Sequence, residues 1–130
     1  MNAASYDIAN ILEAESALGL TIGTNLFIGR EPDKIESCVV LFDTPSYRPE
    51  TSLSAEEYYE YCSLQIRVRS NEYLTAFNTA DEIKTFLNGQ ANITVDEVVY
   101  TSILCSTPPA LLDWDNGKVR FIINFEIQRR

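Results

Sequence analysis

The sequence predicts an α+β protein in which two helices pack on one face of an antiparallel or mixed sheet of about five strands. Two segments repeat apolar residues at three- and four-residue spacing, which is typical of helices buried on one side. Other segments alternate apolar and polar residues, which is typical of half-buried strands. The 130 residues, 45% apolar and 22% charged, fit a single domain over residues 1–130. The elements are predicted in the order α-β-β-β-α-β-β.

The first helix is predicted to begin at Ser5, whose hydroxyl would cap it, and to end at Gly19. Asp7 lies in its first turn, where the helix dipole favours a negative charge. The apolar stripe of this helix comprises Ile8, Ala9, Ile11 and Leu12.

Two short strands are predicted next, at residues 26–28 and 37–43. The second strand is apolar from residue 38 to residue 42, which predicts burial on both faces of the sheet. Residues 44–57 contain two prolines and show no periodicity. This connection is longer than the ~4–6 residues that are usual in compact domains, and such loops are often functional or disordered.

A tyrosine-rich run at residues 58–61 leads into a third strand, which alternates cleanly from Cys62 to Arg69. The second helix is predicted to begin at Ser70, with Glu72 in its first turn, and to end at residues 88–89. Its apolar stripe comprises Tyr73, Leu74, Phe77, Ala80, Ile83, Phe86 and Leu87.

The last third predicts two strands, at residues 95–105 and 119–127, joined by a connection at residues 106–117. This connection ends in Asn116-Gly117, a pattern typical of hairpin turns. Leu111, Leu112 and Trp114 are apolar residues in a connection where polar residues are usual.

Composition excludes several classes of function. Ten basic and 19 acidic residues give a net charge of −9, which argues against a surface that neutralises DNA or anionic lipid. The chain has no histidine, the commonest general base and a common metal ligand. We interpret its three cysteines as free buried thiols, and we expect no metal and no cofactor. The sequence also shows neither a secretory pattern nor an apolar run of ~18 residues, so we expect a cytoplasmic address.

The acidic candidates for catalysis or cation binding are Asp113, Asp115, Glu56, Glu57 and Glu60. Their spacing matches neither a calcium loop nor a convergent acid–base pair, so we interpret them as solvated surface residues. Arg67 and Arg69, with the terminal residues 129–130, are candidates for a local basic stripe or for charges that protect a strand edge. An enzyme of unknown type stays an alternative that would need a pocket with convergent carboxylates.

Protein association is the function that the sequence favours. Tyrosine is enriched in interfaces, the loop at residues 44–57 is long, and apolar residues at 108–114 need cover. Arg67 and Arg69 are candidates for salt bridges to an acidic neighbour. The candidate subunit or tube contacts are Tyr47, Arg48, Tyr58, Tyr59, Tyr61, Arg67, Arg69, Leu111, Leu112 and Trp114.

Several segments together resemble the tail terminator or minor capsid (tail completion) proteins of tailed bacteriophages. The resemblance rests on strand and helix patterns along nearly the whole chain rather than on an active-site motif. The segments are Asp7-Ile8-Ala9-Asn10-Ile11-Leu12, Leu26-Phe27-Ile28-Gly29-Arg30-Glu31-Pro32-Asp33, Phe42-Asp43-Thr44, Gln65-Ile66-Arg67-Val68-Arg69-Ser70, residues 80–89, and Phe121-Ile122-Ile123-Asn124-Phe125-Glu126-Ile127.

The resemblance implies a structural virion protein in the tail-neck region, assembled in the host cytoplasm. Such proteins form a hexameric ring that caps the tail tube, stops its polymerisation and offers a platform to head-completion proteins, while DNA passes through the hole. Six copies would carry about −54, and an acidic lumen would let DNA slide. Another neck component, a head–tail stopper or an adaptor, stays the main alternative, although adaptors tend to be more helical.

Overall fold

A computed structural model of the chain describes residues 2–45, 51–52 and 58–130. Its helices are α1 (Ala4–Ala14) and α2 (Tyr73–Leu87), and a short 3-10 turn (Ser16–Leu18) follows α1. The strands are β1 (Leu26–Ile28), β2 (Cys38–Thr44), β3 (Thr51–Ser52), β4 (Tyr58–Ser70), β5 (Ile93–Val95), β6 (Val98–Asp115) and β7 (Lys118–Arg129). Within these ranges, no helix is long and apolar enough to cross a membrane.

Six strands form one mixed sheet in the order β1-β2-β4-β7-β6-β5, and β3 pairs with β4 beside that path. β1 runs parallel to β2, and the other strand pairs in the described residues are antiparallel. The α+β class is confirmed, but the sheet has more strands than the five expected. The two additions, β3 and β5, are too short to show a periodic pattern in the sequence.

Both helices pack on the same face of this sheet, as predicted. The alternation predicted for β4 and β7 is confirmed, because every second side chain of each strand is buried against the helices. The largest fully buried side chains are Tyr100, Phe125, Ile8, Leu12, Leu26, Leu41, Leu64, Ile66, Ile83, Leu87, Ile103 and Ile123.

The largest departure from the sequence prediction is β6, which continues to Asp115 where a connection over residues 106–117 was expected. Only Asn116 and Gly117 form the turn, both with positive φ (51° and 75°), as the Asn-Gly pattern predicted. Pro108 and Pro109 do not end the strand, because the pairing of β6 with β7 shifts register on either side of them. Prolines are tolerated in strands at such irregularities and at sheet edges.

The start of α1 also differs from the prediction. Ala3 is the N-cap and gives no side-chain cap, whereas Ser5 lies inside the first turn. Ser5 donates its backbone N–H and its hydroxyl to the carboxylate of Asp43, at 3.0 Å and 2.6 Å. The acid that caps this helix therefore comes from the end of β2. α1 ends at Ala14, and Gly19 instead ends the 3-10 turn in a left-handed conformation (φ 66°).

The start of α2 lies two residues later than predicted. Ser70 is the last residue of β4, and Glu72 is the N-cap. The hydroxyl of Ser70 still contributes, because it accepts the backbone N–H of Glu72 at 3.3 Å.

The apolar run of β2 is buried on both faces, as predicted. Val39 and Leu41 face the helices, whereas Val40 points the other way and is equally buried. Residues 30–35 lie over this second face, since Arg69 of β4 donates hydrogen bonds to two carbonyls of that segment. We call the sheet face opposite the helices the open face.

Candidate assembly interface

A cluster of charged side chains occupies the open face near the β6–β7 turn. Glu31 reaches three arginines of the sheet, with oxygen–nitrogen distances of 3.7 Å to Arg67, 3.6 Å to Arg69 and 2.9 Å to Arg120. Arg120 also donates its Nε to Asp113 at 2.7 Å. The acid that Arg67 and Arg69 contact in this structure is therefore Glu31 of their own chain.

This cluster is nearly neutral. The hydrogen bond from Arg120 lowers the pKa of Asp113 and thus keeps that carboxylate charged at neutral pH. Three guanidinium groups against two carboxylates leave one net positive charge. The open face at this end is consequently not a strongly basic surface.

A second polar network lies on the helix face at the opposite end of β4 and β7. Arg129 is buried and donates to Glu60 Oε1 at 2.7 Å, to the Tyr100 hydroxyl at 3.1 Å and to the carbonyl of Asn2 at 2.9 Å. The Tyr100 hydroxyl in turn donates to the buried carboxyl group of Asp7. The network ties the start of α1 to the two strands that begin at Tyr58 and Val98 and to the end of β7.

Charges in this network stabilise one another against burial. Burial opposes the charge of Arg129, but hydrogen bonds to Glu60 and Tyr100 outweigh it and raise the pKa of the guanidinium. Burial likewise opposes ionisation of Glu60, and hydrogen bonds from Arg129 and Cys62 overcome it and lower the pKa of Glu60. Because Arg129 is buried on the helix face, it does not extend a basic stripe from the open-face arginines, and that sequence hypothesis was wrong for this residue.

An exposed apolar patch lies on the helix face near the β6–β7 turn, and we call it the aromatic patch. It comprises Tyr73, Leu74, Phe77, Leu111 and Trp114, which expose 37–68% of their surface. The Trp114 ring stacks on Tyr73 with centroids 6.4 Å apart. Tyr73 and Phe77 meet the buried Phe121 ring edge-on, at 5.0 Å and 5.7 Å. The patch is thus anchored to the core although it faces water.

Four of the predicted contact residues of β4 lie on the open face. Tyr59 and Tyr61 share that face with Arg67 and Arg69, but the six residue steps from Tyr61 to Arg67 span about 20 Å, so the tyrosines and arginines form separate groups. Tyr58 begins β4, and its backbone pairs with β3. The tyrosines therefore belong to the sheet itself rather than to a segment that precedes it.

The other predicted contact residues lie elsewhere. Leu111 and Trp114 pair with helix-face residues of β7, so they point away from the open face, and Leu112 lies at a register shift between its neighbours. Tyr47 and Arg48 lie outside the described residues. The structure thus divides the predicted interface into two groups on opposite faces of the sheet.

Sequence reasoning assigned Tyr73, Leu74 and Phe77 to the core, and this was wrong. The buried residues of α2 are Ala76, Ala80, Ile83 and Leu87. These four residues, spaced by four, three and four, form the buried face of α2, and Tyr73, Leu74 and Phe77 lie outside that face. The three apolar residues lie in the first turns of α2, where the helix begins at the edge of the sheet, and the spacing of apolar residues in the sequence carries no signal of that boundary.

A groove with a volume of ≈ 520 Å³ lies on the open face. The described side chains that line it are apolar or neutral apart from Glu126, which accepts the Ser63 hydroxyl at 2.9 Å and 2.8 Å. No group of three or more His, Cys, Asp or Glu side chains within residues 2–45, 51–52 and 58–130 is placed to hold a metal ion. Among the described residues that line the groove, Glu126 is the one titratable side chain.

Comparison with solved structures places the fold. A chain in the virion of a native gene transfer agent particle superposes with a TM-score of 0.68 at 16% sequence identity, covering 98% of this chain and 94% of that one. The fold therefore defines a class of small α+β proteins that also occurs in a virion.

The family follows from the sequence match. Residues 15–128 match the family described as bacteriophage tail terminator protein. The chain belongs to the bacteriophage tail terminator family, and the resemblance inferred from the sequence is confirmed. No curated protein matches the chain.

Proposed function

We propose that this protein is a tail terminator that forms a ring, hexameric as in the proteins it resembles, on the last layer of a tail tube. The ring stops further polymerisation of the tube and presents a surface to the head-completion proteins, and DNA passes through its hole. The observation that carries the proposal is the family match over residues 15–128. In this function the protein acts by binding and has no catalytic role.

Two segments supply the contacts in this proposal. Residues 44–61 form one contact arm, through Tyr47, Arg48, Tyr58, Tyr59 and Tyr61. Residues 108–114 form the other, through Leu111, Leu112 and Trp114. Arg67, already paired with Glu31, contributes through its remaining hydrogen-bond donors. Arg69, which Glu31 and the carbonyls of Pro32 and Ile35 engage, contributes by holding that segment in place.

The lumen of the ring is negative in this proposal. Each copy carries −9, so six copies concentrate about −54, which repels DNA phosphates and keeps DNA from adhering. The cluster of Arg67, Arg69 and Arg120 then faces away from the hole. A map of the assembled ring in which these three arginines line the hole would contradict this placement.

Deleting the gene from an infecting phage tests the function. Without a terminator the tube grows past its normal end, so electron micrographs should show tails of uncontrolled length, and a gene copy supplied in trans should restore normal length. Tails of normal length beside unjoined heads would contradict termination and indicate a later neck component. Ring formation is tested separately by replacing Trp114 or by deleting residues 46–54 and then measuring particle size by light scattering. Intact hexamers after both changes would refute the assignment of these two segments as contact arms.

A further inference from the structure

Three arginines surround Glu31 on the open face, but they do not satisfy its carboxylate. Arg120 donates to Glu31 Oε2 at 2.9 Å, whereas Arg67 and Arg69 stay 3.7 Å and 3.6 Å away, beyond hydrogen-bond distance. Glu31 Oε1 and Arg69 Nε are both buried and have no hydrogen-bond partner among the described residues. A single charge-assisted hydrogen bond therefore holds this carboxylate among three guanidinium groups.

The three guanidinium groups are held in place by other contacts. Arg67 donates its Nε to the Gln65 side chain at 2.9 Å and lies over the Phe42 ring, 4.7 Å from its centroid. Backbone carbonyls accept from Arg69, and a second carboxylate accepts from Arg120. Because these contacts do not involve the surrounded carboxylate, the arginines stay ordered when another anion replaces it, and such an anion binds without a large loss of conformational entropy.

The side chain of Glu31 can turn away without releasing its backbone. The segment at residues 30–35 remains attached through the two carbonyls that accept from Arg69. A recess of ≈ 180 Å³ lies beside Glu31, between this segment and the β6–β7 turn. Rotation of one side chain is therefore enough to leave the three guanidinium groups open to an anion from outside.

The charges around this recess favour a single carboxylate over a run of phosphates. With Glu31 turned away, one net positive charge remains, from the cations Arg67, Arg69, Lys118 and Arg120 and the carboxylates Asp33, Asp113 and Asp115. Asp33 and Asp115 are exposed, so they repel the neighbouring phosphates of a nucleic acid. The position of Glu31 shows that a carboxylate fits between the arginines.

We propose that Arg67, Arg69 and Arg120 form a carboxylate-binding site that the free chain closes with its own Glu31, and that an acidic side chain of a partner protein takes the place of Glu31 when the partner binds. The exchange is nearly balanced, because the incoming carboxylate regains the hydrogen bond that Glu31 gives up. Contacts of the partner outside the site then decide the outcome.

Acetate titrated into Glu31→Gln tests the site with a small carboxylate. The variant keeps the size of the side chain and removes its charge. NMR signals of the Arg67 and Arg120 Nε–H groups should shift with acetate and not with chloride at equal ionic strength. Glu31→Gln should bind acetate about 10- to 100-fold more tightly than the wild type, the ratio that corresponds to one charge-assisted hydrogen bond. The exposed control Glu36→Gln should behave as the wild type does, and equal responses of the two variants would overturn the proposal.

Two further variants separate binding at the site from damage to the fold. Glu31→Asp keeps the charge but shortens the side chain, so it should also bind acetate more tightly than the wild type. Adding Arg67→Gln to Glu31→Gln removes the most exposed of the three guanidinium groups and should weaken acetate binding at least about 10-fold, whereas adding the exposed control Arg30→Gln should not. Acetate binding that survives Arg67→Gln unchanged would overturn the site.

An acidic peptide and an oligonucleotide test the class of partner on the wild-type chain. A short polyglutamate peptide should shift the Arg67 and Arg120 signals at lower concentration than acetate, because neighbouring carboxylates raise the effective concentration at the site. An oligothymidylate should leave these signals unchanged, and the opposite result would overturn the assignment to a carboxylate. The site goes beyond the proposed function, since normal tail lengths in the deletion phage would overturn tail termination and leave these binding results in place.

Discussion

Replacing Tyr100 with phenylalanine removes one hydroxyl from the centre of the buried polar network. That hydroxyl donates to Asp7 and accepts from Arg129 at 3.1 Å, and Tyr100 and Asp7 are both inaccessible to water. The aromatic ring stays in place in Tyr100→Phe, so packing is conserved. Asp7 loses a donor that no water can replace, and Arg129 loses an acceptor.

The expected loss of stability follows from these two bonds. Hydrogen bonds to charged groups contribute about 1.5–3 kcal/mol, and a buried group left without its partner costs about 1–3 kcal/mol. We therefore expect Tyr100→Phe to lower the free energy of unfolding by about 3 kcal/mol. That is a large share of the roughly 5–15 kcal/mol typical of a domain, and it corresponds to a fall of roughly 10 °C in Tm.

Urea unfolding followed by circular dichroism measures this change. Tyr73→Phe is the matched control, because the Tyr73 side chain is exposed and its loss should change the unfolding free energy by less than about 0.5 kcal/mol. The double variant Asp7→Asn/Tyr100→Phe should lose less than the sum of the single variants, since both remove the same bond. Equal stabilities of Tyr100→Phe and Tyr73→Phe would refute the assignment of this hydroxyl to a buried network.

The pKa of Glu60 is lower in the folded protein than in the unfolded chain, so the folded state binds this proton less readily. The stabilising contribution of Glu60 is therefore present above its unfolded pKa and is lost as the pH falls through its folded pKa. Glu60→Gln should flatten the acid side of a plot of stability against pH, and the exposed control Glu82→Gln should not. Glu31→Gln should lower the unfolding free energy by about 2 kcal/mol in urea titrations, because three arginines then face one another with less compensation, whereas Glu36→Gln should be near neutral. Burial raises the pKa of Cys62 to about 12, and it also raises the pKa of Cys38 and Cys105. A thiol reagent at pH 8 should therefore react slowly with the native protein, whereas after unfolding it should react with all three thiols. Rapid reaction of Cys62 in the native state would contradict this burial.

The parts of the fold that followed from sequence are those in which a periodic pattern runs for several turns or strand residues. The alternation from Cys62 to Arg69 predicted most of β4, which begins four residues earlier, and the Asn116-Gly117 turn was placed to the residue. The strand predicted at residues 95–105 ends too early, because Pro108 and Pro109 normally argue against a strand. Nothing in the sequence shows that the pairing of β6 with β7 shifts register and so accommodates these prolines.

Long-range partners were the part that sequence could not supply. The side chain that binds the first turn of α1 is Asp43, 38 residues from Ser5. Arg129 was assigned to the surface by its charge, but the fold brings it to Glu60, 69 residues away. The physical reason is the same in both cases. The local sequence shows that a polar group needs a partner, but only the fold determines which distant residue lies close enough to be that partner.

The placement of charged and apolar groups argues that the isolated chain is not the state to which its surface is adapted. Arg129 and Asp7 are buried at a desolvation cost that their mutual partners must offset, whereas Leu74 and Trp114 remain in water. Both exposed residues lie near the start of α2, and no described segment of the chain covers them. An apolar surface whose rings are held by Phe121 and that stays open in the single chain gains free energy when another molecule covers it, which is the behaviour that an assembly protein requires.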